Sequence, residues 1–193
     1  NVTIRKHIGL CPQENIIWPD LTAFEQLKYM GIMYDLTPAF AAERSRNLLK
    51  DMGLIEKHNT LASKLSGGMK RRLNICLSLI NDPQIVILDE PEAGLDPQSR
   101  VMVREYVVGL KKHKTVILTT HNMDEADRLA DRIAIIDHGK ILITDTPENL
   151  KKTVVKGDRL EITITGKIGL DEFVLPLYNG KIEVNDNFIV FQD

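Results

Sequence analysis

The chain has 193 residues, 43% hydrophobic and 27% charged, enough for one good core and a small appendage. Its 25 Lys and Arg against 27 Asp and Glu leave a formal charge of -2, without the net basic excess of nucleic-acid binders, so no nucleic-acid partner is expected. Cys11 and Cys76 sit in apolar surroundings without metal-ligand spacing and read as reduced core residues; no apolar run approaches the roughly 20 residues that cross a bilayer, and no signal-peptide pattern opens the chain.

In chain order, His7–Cys11 reads as a short strand stopped by Pro12, which has no donor for a ladder. A loop carrying Gln13 follows. Thr22 and Glu25 form a capping-box pair, and Phe24, Leu27, Met30 and Tyr34 then recur on one helical face. A second helix has Thr37 as cap and Pro38 in its first turn, with Gly53 at the left-handed position past its end. After Ser66, the residues Met69, Leu73, Cys76, Leu77 and Ile80 repeat at helical spacing, so 20–81 is a helical subdomain.

The period then changes. Ile85–Leu88 is a continuous apolar run suited to a strand buried on both faces. Helix Pro97–Lys112 turns Val103, Tyr106, Val107 and Leu110 inward. Strand Thr115–Thr120, helix Met123–Ala130 and strand Arg132–Asp137 complete a β-α-β-α-β order that predicts a parallel α/β sheet. His138 and Gly139 turn into strand Lys140–Thr144, and a short helix spans Pro147–Lys152. Alternation at Leu160, Ile162 and Ile164, at Lys181–Val184 and at Phe188–Phe191, with a turn at Asn185–Asn187, predicts a small β-rich appendage over 157–193.

Two segments carry chemistry. In Leu65-Ser66-Gly67-Gly68-Met69-Lys70-Arg71-Arg72, Ser66 caps a helix whose first turn holds two glycines, leaving bare N–H groups at a dipole end that favours an anion. Lys70, Arg71 and Arg72 raise the potential there for a phosphate; the alternative is a capped helix with a solvated basic face. Ile85–Glu90 is an apolar strand that delivers two carboxylates at its C-terminal end, where open α/β sheets place ligands. Asp89 suits Mg²⁺, a hard cation, and Glu90 is placed to deprotonate a water; a strand end ending in acids is also simple solvation.

Leu65–Met69 is similar to the signature motif of ATP-binding cassette proteins, Ile85–Glu90 to their Walker B strand, and Gly94-Leu95-Asp96-Pro97 to their D-loop. His121 matches the switch histidine, and Gln13 in Cys11-Pro12-Gln13 the Q-loop glutamine. The five motifs appear in family order from about Ile8 to Leu150. The resemblance implies roles: Gln13 touching Mg²⁺ or the water and sensing a transmembrane partner, Ser66, Gly67 and Gly68 holding the γ-phosphate of ATP on an opposite subunit, Asp89 supporting Mg²⁺, Glu90 as general base, His121 bridging to the γ-phosphate, and Asp96 crossing the dimer interface while capping its own helix.

Met69-Lys70-Arg71-Arg72, the Ile8–Gln13 run and the Trp18–Leu27 stretch resemble the lipid and multidrug exporter branch. Met69 stands where the family often has Gln, and Glu92 where it has Thr or Ser. No G-x-x-x-x-G-K-[ST] occurs in the 193 residues, and Asn1 reads as a boundary entered midway, so the expectation is a partial P-loop NTPase-like fold without its Walker A loop, inactive alone. It divides into 1–19 (first strand and Q-loop), 20–81 (helical signature subdomain), 82–156 (core with Walker B, D-loop and switch histidine) and 157–193. The implied function is an ATP-hydrolysing transporter subunit, using ATP and Mg²⁺, paired as a homo- or heterodimer beneath a transmembrane permease on the cytoplasmic face of the cell membrane. The alternatives are a soluble cassette ATPase in translation or DNA repair, and a non-catalytic interaction module.

Overall fold

Side-chain caps set the helix starts. Thr22 accepts from the Glu25 amide at 3.1 Å while the Glu25 carboxylate takes the Thr22 amide at 2.9 Å, opening α1 (Ala23–Met33); Thr37 opens α2 (Pro38–Asp51), and Gly53, with φ +60, supplies the left-handed residue beyond it. Ser66 caps α3 (Gly67–Leu79) and Asp96 caps α4 (Pro97–Lys111). Each such cap contributes about 1 kcal/mol. The structure, a computed structural model, describes Ile4, residues 6–154 and the strand backbones at 159–163, 181–185 and 188–192.

The chain divides into two compact units, one through Leu129 and one from Ala130 on. In the first, β1 (Ile8–Cys11), β2 (Ile85–Asp89) and β3 (Thr115–Thr119) form a parallel sheet in that order, with Leu10, Ile87 and Ile117 in one row across it. Gly9, Cys11, Val86 and Leu88 lie on the buried face, in a core shared with Leu27, Leu49, Leu73, Ile75 and Val103. α3 packs so closely on β1 that a Cβ on Gly9 would stand 2.0 Å from the Ser78 carbonyl oxygen. α5 (Met123–Leu129) follows β3.

The reading of Ile85–Leu88 as buried on both faces is corrected. Among the described residues the helices cover one face only; Ile85 and Ile87 are half-buried, and Leu10 and Ile117 are 59% and 50% exposed. Both cysteines are buried and free, as read; burial pushes the Cys11 thiol up to about 11, against the opposing charge of Arg71.

In the second unit, β4 (Ile133–Asp137) does not extend the parallel sheet. It pairs antiparallel with β5 (Lys140–Asp145): Asp137 faces Lys140, and the two residues between them, His138 and Gly139, both have positive φ, +44 and +74. A two-residue turn of that geometry closes a hairpin locally and matches strand twist. α6 spans Pro147–Val154. Strands β6 (Arg159–Thr163), β7 (Lys181–Asn185) and β8 (Phe188–Gln192) form an antiparallel sheet in the order β6-β8-β7; Ile164 and the turn residues 186–187 lie outside the described residues. The architecture is α/β, a parallel three-stranded sheet with helices plus small antiparallel pairings.

Candidate functional site

The C-terminal ends of the three parallel strands bring Gln13, Glu90 and His121 together. Gln13 follows β1, Glu90 follows β2, and His121 lies two residues past β3. His121 Nδ1 is 2.8 Å from Glu90 Oε1, and Gln13 Nε2 donates to Glu90 Oε2 at 3.4 Å. Thus each oxygen of one carboxylate has a neighbour from an adjacent strand end. Glu90 itself has φ +48, a left-handed conformation rare for a side chain of its size. Its amide donates to Thr119 O at 3.1 Å and to Thr119 Oγ1 at 3.3 Å, and its carbonyl accepts from Ala93 N at 3.1 Å. Those bonds hold the turn that sets the carboxylate between Gln13 and His121.

Asp89 is tied to the same strand end, since the Thr119 hydroxyl donates to its Oδ1. Among the described residues no group of three or more His, Cys, Asp or Glu could hold a metal ion unaided. Mg²⁺ arriving with a nucleotide needs only one or two carboxylates beside phosphate and water oxygens, and the half-buried Asp89 carboxylate at a strand end has that hard-oxygen character. Glu90, Glu92, Ala93, Gly94, Arg100, Thr120, His121, Asn122 and Glu125 line a cleft of about 210 Å³.

The signature residues form a second group. Ser66 Oγ accepts from Met69 N at 3.3 Å, and Ser66 and Gly67 are exposed. A Cβ on Gly67 would meet nothing within 4 Å, and one on Gly68 would only touch Leu95, Asp96 and Ser99 at 3.5–3.7 Å. Among the described residues neither glycine is required by packing, which leaves open space at this helix end. Asp96 Oδ2 accepts from Ser99 N at 3.0 Å, and Ser99's hydroxyl and amide hold its carboxyl below the usual range.

The basic run after the signature behaves differently from the sequence reading. Arg71 is 3% exposed and Arg72 is buried; they form neither a solvated face nor a phosphate-facing charge. Arg71 Nη1 donates to Pro12 O and Gln13 O, and its Nη2 to Asp89 O and Glu90 O. Arg72 donates to Met52 O at 2.8 Å. The physical reason is position: both lie where α3 turns toward the core, and strand-end and helix-end carbonyls there need donors.

Two further arrangements have little or no local signal. Glu92, 5% exposed, is gripped by Arg104 through Nε at 3.2 Å and Nη2 at 3.0 Å. Thr120 Oγ1 donates to Glu125 Oε2 at 2.5 Å and accepts from Asn122 N at 3.0 Å, bracing the turn around His121. Only the Thr120-His121-Asn122 adjacency hints at this. The Trp18 side chain lies beside Tyr29, edge to face at 5.9 Å, on the wall of a shallow apolar pocket with Pro19, Leu21 and Met33. Ile16, two residues earlier in the chain, is 65% exposed.

Residues 2–93 match the ABC transporter family. The chain is 43% identical over 160 residues to ABC transporter ced-7 of Caenorhabditis elegans, covering 83% of this chain and 9% of that one. It is 38% identical over 183 residues to the linearmycin resistance ATP-binding protein LnrL of Bacillus subtilis, covering 94% and 58%, and 36% identical to the human phospholipid-transporting ATPase ABCA7, covering 87% and 8%. Its fold matches a solved ATP binding subunit of an ABC transporter with TM-score 0.70 at 26% identity, over 79% of this chain and 64% of that one. A second match is cbiO1 from Clostridium perfringens, part of the ABC transporter complex cbiONQ, with TM-score 0.69 at 25% identity over 78% and 61%. Fold and sequence together make the chain part of an ABC transporter ATP-binding domain. Within that class the chain stands close to ced-7, ABCA7 and LnrL, and it spans only part of their lengths. Among the described residues no helix is long and apolar enough to cross a membrane.

Proposed function

We propose that this chain is the hydrolytic portion of an ATPase that powers an exporter of the lipid and multidrug branch. The observation that carries the reading is the convergence of Gln13 and His121 on the two oxygens of Glu90 at the ends of three parallel strands. Glu90 takes a proton from a water as the water oxygen bonds to the γ-phosphorus and the bond from that phosphorus to the β–γ bridging oxygen breaks, giving ADP and phosphate. Gln13 and His121 orient the carboxylate and the water, and His121 bridges to the γ-phosphate. Asp89 and Gln13 would hold Mg²⁺ in part, and the bound ion would neutralise charge on the phosphates.

Ser66, Gly67 and Gly68 hold the γ-phosphate of ATP bound to a second ATPase subunit, and Asp96 lies at that dimer interface. The open space at Gly67 supports this in-trans role. The domain assignment follows the same reading: 1–19 and 82–156 as ATPase core, 20–81 as the signature subdomain, and 157–193 as an appendage. A transmembrane permease docks on the 12–33 region, and the domain works at the cytoplasmic face of the cell membrane; the apolar surface exposed by Ile16, Trp18, Tyr29 and Met33 supports the docking reading. The names of ced-7, ABCA7 and LnrL support the transport reading.

The test is copurification of the full-length protein with its membrane partner, followed by ATPase assay. Transport-substrate-stimulated hydrolysis in that complex is expected. Association with ribosomes or DNA, with no membrane partner and no such stimulation, would favour a cassette ATPase of translation or repair.

A further inference from the structure

Arg71 carries a charge into the interior and spends it on four backbone oxygens. One nitrogen of the fork serves Pro12 and Gln13, at the end of β1. The other serves Asp89 and Glu90, at the end of β2. Its Nε is buried without a partner. An apolar side chain of similar length would fill the same space without an unpartnered donor, so the guanidinium is explained by what its two outer nitrogens hold.

The surrounding bonds make the 12–18 segment a restrained strap. Asn74, one turn further along α3, donates to Pro12 O and Glu14 O at 3.4 Å and accepts from Ile16 N at 3.2 Å. Gln26 of α1 accepts from Trp18 N at 3.3 Å. Of these three side chains, Arg71 is the one that also reaches the end of β2. There it bonds the carbonyl of Glu90, the residue held in left-handed backbone at φ +48.

We propose that Arg71 is a positioning residue that makes the Gln13 strap and the Asp89-Glu90 turn move as one unit, so that displacement of the strap re-aims the Glu90 carboxylate. The proposal rests on the hydrolytic reading of Glu90 for its functional meaning. Its mechanical content stands apart, because the Arg71 hydrogen bonds go to backbone carbonyls and not to the Glu90 side chain or His121. A signal reaching Trp18 or Ile16 is relayed through Pro12 and Gln13 carbonyls to the guanidinium and on to the Glu90 carbonyl. Lysine cannot replace it, since a single ammonium on a flexible stem does not present two parallel pairs of donors.

The experiment uses the 193-residue chain without nucleotide, so its outcome is independent of whether the chain serves an ATPase. Amide exchange is followed by mass spectrometry in Arg71→Lys, Arg71→Met, Asn74→Ala and Arg72→Met, and the His121 ring signal by NMR. Both Arg71 variants are expected to raise exchange in 12–18 and 89–93 together, roughly tenfold, and to shift the His121 signal. Asn74→Ala should loosen 12–16 alone, and Arg72→Met, a change at an equally buried arginine on the same helix, should leave His121 unmoved. Faster exchange in 12–18 with 89–93 and His121 unchanged would overturn the proposal, as would the same changes in Arg72→Met. Native-state exchange of the unmutated chain gives a test that no folding failure can spoil: the two segments, far apart in sequence, should open with one common denaturant dependence, and two different dependences would refute the coupling.

Discussion

His121 Nδ1 and Glu90 Oε1 stand 2.8 Å apart although 31 positions separate them in the chain. The imidazole is largely exposed, and exposed pairs add little stability. What the contact does is geometric: β2 and β3 run parallel in register through Asp89 and Thr119, so their ends present the two side chains side by side, and the carboxylate is aimed by groups on both flanks. The same end of the sheet holds the Glu125 and Glu92 carboxylates in one cleft, which gives the site a testable pH dependence.

Burial pushes the Glu125 carboxyl above the ordinary 4.5; the Thr120 hydroxyl opposes this, Glu92 adds to it, Arg104 opposes it and Glu90 adds to it. Its Oε1 is buried without a partner. The folded state therefore binds this proton more tightly than the unfolded chain. That contribution to stability is full below pH 4.5 and is lost as pH rises through the folded value. Glu125→Gln, which keeps an acceptor for Thr120 and removes the charge, should raise the urea midpoint at pH 7, with the gain vanishing below pH 4.5. A midpoint at pH 7 equal to or below that of the unmutated chain would contradict this.

Gly9 and Gly67 should respond oppositely to the same change. A Cβ on Gly9 meets Ser78 O at 2.0 Å and Pro83 Cγ at 2.8 Å, whereas one on Gly67 meets nothing. Gly9→Ala should cost about 3 kcal/mol by denaturant titration, because backbone must shift. Gly67→Ala should leave stability unchanged or raise it by up to about 1 kcal/mol. A bulky residue at Gly67 should nevertheless abolish ATP-driven dimerisation of the full-length protein while ATP still binds each subunit; intact dimerisation would remove the in-trans role.

The apolar wall at Trp18 is peripheral to the core. Trp18→Ala should leave the thermal transition of the chain nearly unchanged, and in a complex with the permease it should uncouple transport from hydrolysis. A large loss of stability in the isolated chain would make Trp18 a packing residue instead.

Phosphate affinity needs a backbone cradle and a lysine, and no G-x-x-x-x-G-K-[ST] run occurs in residues 1–193. Asp89, Glu90, Glu92 and Glu125 add negative charge near a polyanion. Calorimetry of the 193-residue chain with MgATP should show no micromolar binding; such binding would make the loop dispensable.

The fold was legible where chemistry is local. Thr22 with Glu25, Thr37 with Pro38, Ser66 and Asp96 each announce a helix start within four residues, and the apolar run before Asp89 announces a strand. What was hidden depends on partners distant in sequence. Arg71 and Arg72 look like surface charge until α3 is packed against strand-end and helix-end carbonyls. The His138-Gly139 turn is legible in the sequence, and β4 and β5 pair antiparallel across it. Gln13 and His121 have no individual signal; they were found through the motif series, and their shared contact with Glu90 needed the strand order. Glu92 with Arg104 and Thr120 with Glu125 are pairings that composition and periodicity do not encode.

The central claim is that Glu90 is the general base, and the most direct measurement is steady-state ATP turnover of the full-length protein in its membrane complex, unmutated and as Glu90→Gln. Glutamine keeps the size of the side chain but cannot accept the proton. Turnover should fall by roughly 10² to 10⁴-fold, with ATP binding retained and an ATP-bound dimer accumulating. Hydrolysis within a few-fold of the unmutated complex would contradict the account.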